Sequence, residues 1–159
     1  MLLAVVTVSD RCSQGLQLDT AGPAVVDLLR SLWPSAEIRT ALIADEEEQI
    51  ATLLTELAAA GAALVLTAGG TGLGPRDVTP EATRRVLHRE APGLAEAMRA
   101  LGSQHTPSAW LSRGVAGMRN RTLIINLPGS RRGAAESLSS ILPLLRHALE
   151  VAAGGQTHP

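Results

Sequence analysis

The sequence has no phenylalanine, no tyrosine and no lysine, one cysteine and two tryptophans. Each scarcity excludes something. With Trp33 and Trp110 as the whole aromatic content, the interior has to be filled by Leu, Val, Ile and Ala. Every basic side chain is an arginine, which removes Schiff-base chemistry and the lysine-dependent phosphate sites of P-loop proteins and kinases. A bound phosphate must therefore be neutralised by arginine, backbone amides or a metal. Cys12 is alone, so there is no disulfide framework and no thiolate metal site, and no histidine is tied to it as an activator. His88, His105, His147 and His158 fall in no metal-ligand spacing. A net charge of −1 with no basic run argues against nucleic acid or a membrane surface as partner. The apolar start, Leu2 to Val8, is too short to span a bilayer and has no basic leader, so it reads as the first strand of a cytoplasmic protein.

What is present is an alternation of short apolar strands and amphipathic helices, without linker, repeat or low-complexity segment. At 159 residues this is one α/β domain over 1–159, with a frayed tail over 154–159. Strands are expected at Leu2–Ser9, Glu37–Ile43, Ala62–Thr67, Val115–Arg119 and Thr122–Asn126, the last two as a hairpin. The loop from Cys12 to Asp19 is polar. Helices are expected from Thr20 or Gly22 to Pro34, after Asp45, from Thr79 to Glu90, from Leu94 to Gly102 and after Ser130, with Pro143 kinking the last. Asp45 followed three residues later by Glu48 resembles a capping box, so Asp45 reads either as an N-cap or as a functional acid.

The stretch from Ala62 to Thr83 organises the chain. A buried strand runs into Ala68-Gly69-Gly70-Thr71-Gly72-Leu73-Gly74, where amides can approach a ligand with no Cβ in the way. A helix follows, with Thr79 as its N-cap and Pro80 at the first helical position. Strand, glycine turn and helix start make an anion-holding geometry. No Gly-Lys-Ser/Thr follows, so this is not a P-loop, and Pro75 breaks the dinucleotide fingerprint. Pro75 and Pro80 make Arg76-Asp77-Val78 an extended lip. If Thr79 caps the helix, Asp77 is free for function or for an Asx-turn on the loop. Arg76 is either the guanidinium for a phosphate or a surface ion-pair partner.

Gly69-Gly70-Thr71-Gly72 followed by Pro75-Arg76-Asp77-Val78-Thr79-Pro80-Glu81-Ala82-Thr83 resembles the MogA/MoaB family of molybdenum-cofactor biosynthesis proteins. Within that family the resemblance is greatest to MogA-type molybdopterin adenylyltransferases and the gephyrin G domain. Thr7 to Asp10, Asp45-Glu46, Glu90 to Gly93, Leu111-Ser112-Arg113 and Leu123 to Ser130 extend it over nearly the whole chain. The resemblance implies a three-layer α/β/α sandwich with a mostly parallel sheet of order 2-1-3-5-4, Val115–Arg119 being the antiparallel edge, assembled as a homotrimer. It implies transfer of AMP from ATP to the terminal phosphate of molybdopterin, with Mg²⁺ and release of pyrophosphate, and a molybdenum insertase as a candidate partner. The family's acids fall on Asp45 and Asp77, as catalytic and metal-holding groups. The binding residues fall on Ser9, Asp10, Gly69, Gly70, Thr71, Gly72, Arg76, Ser112, Pro128, Gly129 and Ser130. The alternative implied is a MoaB-like molybdopterin-binding or scaffold protein with little or no transferase activity.

Overall fold

The computed structural model describes residues 1–155; residues 156–159, with most of the expected tail and His158, lie outside the described residues. Six strands form one sheet: β1 (Leu2–Val8), β2 (Glu37–Ile43), β3 (Leu64–Ala68), β4 (Arg89–Glu90), β5 (Ala116–Arg119) and β6 (Thr122–Leu127). Their order is β2-β1-β3-β6-β5-β4, with β2, β1, β3 and β6 mutually parallel and β5 antiparallel to both neighbours. The helices are α1 (Asp10–Ser13), α2 (Ala21–Leu32), α3 (Glu47–Ala59), α4 (Thr79–Val86), α5 (Pro92–Ser103) and α6 (Arg131–Ala152), with a 3₁₀ turn over Pro107–Leu111. No helix among the described residues is long and apolar enough to cross a membrane.

The period-2 geometry of strands sorts the core into two layers. Leu3 and Val5 of β1 face α2, α5 and α6, while Ala4, Val6 and Val8 face α3 and α4. The largest fully buried side chains are all Leu or Ile, as an interior without Phe or Tyr requires. Each stabilises the fold by roughly 1.5–3 kcal/mol. The central strands are buried along nearly their whole length because both faces are covered.

The five expected strands have the expected order. A sixth is added at the edge: Arg89–Glu90 pairs with Met118 and Gly117, so β5 is an inner strand. The helix expected to reach Glu90 therefore ends at Val86, where Leu87 turns extended to feed this pair. Thr79 is not an N-cap. It is the first residue of α4, fully buried, while Val78 holds the cap position. The Thr79 N–H is taken by Gly70 O at 3.1 Å, which locks the helix start beneath the glycine turn. Asp45 does not cap α3 either: Glu46 holds that position and no side chain closes it. The lip is not fully extended, since Asp77 N–H donates to Gly74 O at 3.0 Å and makes Gly74 to Asp77 a turn with proline second. The start of the polar loop is helical, with the Ser9 hydroxyl accepting from Cys12 N–H. Thr20 holds the cap position of α2, and the preceding Asp19 accepts with Oδ1 from the amides of Ala21 and Gly22.

Candidate active site

Strands β1, β3 and β6 are parallel neighbours, so the loops at their carboxyl ends stand side by side. These are Ser9-Asp10, Gly69 to Gly72 and Pro128 to Ser130. The last two touch: Gly69 N–H donates to Leu127 O at 3.1 Å, and a Cβ on Gly129 would lie 3.1 Å from Gly69 Cα. Gly69 and Gly70 hold φ of +116° and +63°. A side chain at 69 would overlap the Val8 carbonyl oxygen, and one at 70 would strike the Thr79 hydroxyl. The glycines thus serve backbone conformation and close approach at once.

Two carboxylates reach the glycine turn, Asp45 beside Gly70 and Asp77 beside Gly72. Asp10 and Asp45 hook one another: Asp10 N–H donates to Asp45 Oδ2 at 2.8 Å, and Asp45 N–H donates to Asp10 Oδ1 at 3.0 Å. The hook leaves Asp45 Oδ1 facing Gly70, 2.8 Å from where a Cβ would stand. Asp77 Oδ2 accepts from Gly74 N–H at 2.8 Å and lies 2.9 Å from the Cβ position of Gly72. The Asx-turn considered for Asp77 is not made, because the amide two residues on, Thr79 N–H, donates to Gly70 O. Asp77 bonds back to Gly74 instead, and this occupies one oxygen only. Among the described residues no donor reaches Oδ1 of Asp45 or of Asp77. Arg76 is committed to acids, forking onto Asp10 at 3.0 and 3.1 Å and reaching Glu46 at 2.7 Å.

Charge is unevenly distributed. The Arg76 guanidinium, then the Asp45 amide, hold the Asp10 carboxyl below its usual value. Asp45 is pushed up, first by burial and then by the charges of Asp10 and Asp77, against the opposing amide of Asp10. An acid with a raised native pKa binds a proton more readily folded than unfolded, so it costs stability once pH exceeds its folded pKa. Asp45→Asn is accordingly expected to melt no earlier than the wild type near neutral pH. The difference should close as pH falls and the wild-type carboxyl protonates. The asparagine carbonyl can keep the Asp10 amide, and no helix cap is lost. A thermal melt series across acidic to neutral pH checks this, and an early-melting variant would restore a structural role for the acid.

Two carboxylates with one free oxygen each suit Mg²⁺, which takes one or two protein carboxylates and completes its shell with water and phosphate oxygens. Among the described residues no three His, Cys, Asp or Glu side chains could hold an ion together. The donor set fits a cation shared with an anionic ligand.

Two hollows meet at the glycine turn. One, of about 440 Å³, is lined by Thr71, Gly72, Ser112, Pro128 and Ser130. The other, of about 210 Å³, is lined by Ser9, Asp45 and Gly69. Gly70, Asp77 and Gly129 belong to both. The structure so brings together every expected site residue except Asp10 and Arg76, which stand behind Asp45 as its support. Sequence reading missed Leu18 and Thr20 in the smaller hollow, and Thr106, Ser108 and Ser137 in the larger. They come from remote loops and helix faces and carry no local motif. It also gave no role to Arg113, although Leu111-Ser112-Arg113 is one of the stretches that carry the family resemblance.

A family model described as "Probable molybdopterin binding domain" matches residues 4–147. Gephyrin of Dictyostelium discoideum is 40% identical over 93% of the chain, which spans only 22% of that protein's length. Molybdopterin adenylyltransferase of Helicobacter pylori (strain J99) is 37% identical over 96% of the chain and 88% of its own length. Among solved structures, the molybdopterin biosynthesis enzyme MoaB from Thermus thermophilus aligns at TM-score 0.89 with 50% identity, covering 96% of both chains. A MogA structure aligns at TM-score 0.91 with 39% identity, covering 96% of this chain and 99% of that one.

Proposed function

Because the chain belongs to the molybdopterin-binding family of molybdenum-cofactor biosynthesis, we propose that it is a molybdopterin adenylyltransferase. It would take ATP in the smaller hollow and molybdopterin in the larger. The observation that carries this reading is the shared wall: two hollows that meet at Gly70, Asp77 and Gly129, with the Asp77 carboxylate on that wall and the Asp45 carboxylate in the smaller hollow against Gly70. A terminal phosphate oxygen of molybdopterin attacks the α-phosphorus of ATP. One P–O bond forms, the bond to the β-phosphate oxygen breaks, and pyrophosphate leaves. The attacking monoester is largely dianionic at neutral pH, its second pKa being about 6, so no general base is required. What the chain must supply is placement of two anions in contact and neutralisation of their charge.

The glycine-turn amides and the Ser130 start of α6 offer donors to phosphate oxygens. Asp45 and Asp77 would hold Mg²⁺, which supplies charge neutralisation at the transferring phosphate. Their own work is to orient: the Asp10 hook and the Gly74 amide each fix one carboxylate oxygen and aim the other. With no Phe or Tyr, the adenine would rest on aliphatic groups, and Leu18 lines the smaller hollow.

The 50% identity to a MoaB structure favours a second reading, in which the chain holds molybdopterin, as a scaffold or for a molybdenum insertase, with little or no transfer. One experiment separates the two. The protein is mixed with ATP, Mg²⁺ and molybdopterin, and adenylylated pterin and pyrophosphate are sought. Product on the timescale of turnover supports the transferase; pterin binding without product supports the second reading. A homotrimer is part of the proposal, and light scattering that gave a monomer at micromolar concentration would remove it.

A further inference from the structure

Arg113 is an arginine whose donors serve main chain as much as charge. Its Nε donates to Gly72 O at 2.7 Å, and one terminal nitrogen donates to Asp77 O at 2.5 Å. The other terminal nitrogen pairs with Glu81 of α4. Its own backbone N–H donates to Thr71 O at 2.8 Å. One residue therefore grips the glycine turn at two carbonyls, the acid-bearing turn at a third, and the helix that follows. The side chain is two-thirds covered, and the Arg113 guanidinium holds the Glu81 carboxyl below its usual value.

The grip matters because of where the Asp77 turn is otherwise tied. From Gly72 to Asp77 the chain has no regular structure, and the Asp77 carboxylate meets the protein through Gly74 N–H, on the same loop. That bond fixes the two loop residues only relative to each other. The exposed Arg76 side chain ties the turn to Asp10 and Glu46, and Thr79 N–H is held by Gly70 O, but neither gives the Asp77 main chain itself a fixed reference. Arg113 supplies that reference, since it leads into β5 through Val115, whose N–H donates to the buried Asn126 side chain of β6. Its neighbour Ser112 lines the larger hollow. The planar guanidinium fork suits three acceptors in fixed directions, a task lysine cannot perform.

We propose that Arg113 is a positioning residue for Asp77, holding the acid-bearing turn at the fixed distance from the glycine turn that the site requires. For its turnover arm this rests on the transferase reading above; a second arm does not. In Arg113→Met, amide hydrogen exchange at Gly74 and Asp77 should rise about tenfold or more while exchange in β1, β3 and β6 is unchanged. Adenylyl transfer should fall about a hundredfold in kcat, as a misplaced group of about 1 Å implies, with the KM for ATP moving far less. Glu81→Gln keeps an acceptor and removes the ion pair, and should match the wild type in both measurements. Arg113→Lys keeps the charge opposite Glu81 but loses the fork, and should behave as Arg113→Met does.

If Glu81→Gln reproduces the Arg113→Met losses, the ion pair is what matters and the proposal fails. It fails also if Gly74 and Asp77 exchange as in the wild type, or if both Arg113 variants unfold, which would make the residue structural. A wild type without transfer activity, but with the expected exchange pattern across the variants, would sink the transferase reading and leave the positioning role standing.

Discussion

Asp77→Asn is expected to abolish adenylyl transfer while leaving the fold and pterin binding nearly intact. The carboxylate belongs to both hollows, and its Oδ1 meets no described donor. It would therefore act on whatever occupies the junction. An asparagine carbonyl can still accept from Gly74 N–H, so the loss of loop stability should not exceed about 1 kcal/mol. In a chain of this length that moves the melting temperature by about 2–4 °C. Removing the charge that neutralises and orients at the transferring phosphate should cost about 3–4 kcal/mol of transition-state stabilisation, two to three orders of magnitude in rate. The two measurements thus separate. Kinetics and melts on the same preparation check the prediction. Normal turnover, or activity lost only in proportion to unfolding, would reduce Asp77 to a loop residue.

The second large effect falls on stability. Gly69→Ala should destabilise the fold by about 3 kcal/mol or more, because two penalties combine. Its φ of +116° lies in a region that a Cβ makes strained. The added methyl would also overlap the Val8 carbonyl oxygen, and Val8 cannot retreat, being paired with Ile43 of β2. A fall of about 6–12 °C in melting temperature follows. Gly61→Ala is the control. Gly61 also has positive φ, +84°, but a Cβ there would meet nothing within 4 Å. Its cost should be limited to the conformational term, about 1–2 kcal/mol. Equal melting temperatures for the two variants would mean that close approach to β1 contributes nothing.

Strand and helix identities were legible because they depend on local periodicity and composition. Strand β2 falls on Glu37–Ile43 as read, and the Leu/Ile core follows from the absence of Phe and Tyr. The glycine turn, too, announces itself as a glycine-dense stretch, and the structure needs glycine there for φ of +116° at Gly69 and for the close approach of Thr79 to Gly70. The candidate acids were singled out through resemblance to a family, for the residues alone left Asp45 between a cap and a functional acid, and Asp77 between function and an Asx-turn. What tertiary structure decided was the use of polar groups. A local rule offers Asp45 the amides of its own helix, but Asp10, 35 residues away, presents both a donor and an acceptor in the opposite direction. Thr79 is likewise drawn beneath Gly70 instead of capping α4, and Arg89–Glu90 leaves its helix for the open edge of β5. Arg113 finds its three acceptors 32 to 41 residues away. A helix cap is worth about 1 kcal/mol. A margin that small is overturned by any well-aimed partner that the fold brings from elsewhere, and such partners carry no trace in the adjoining sequence.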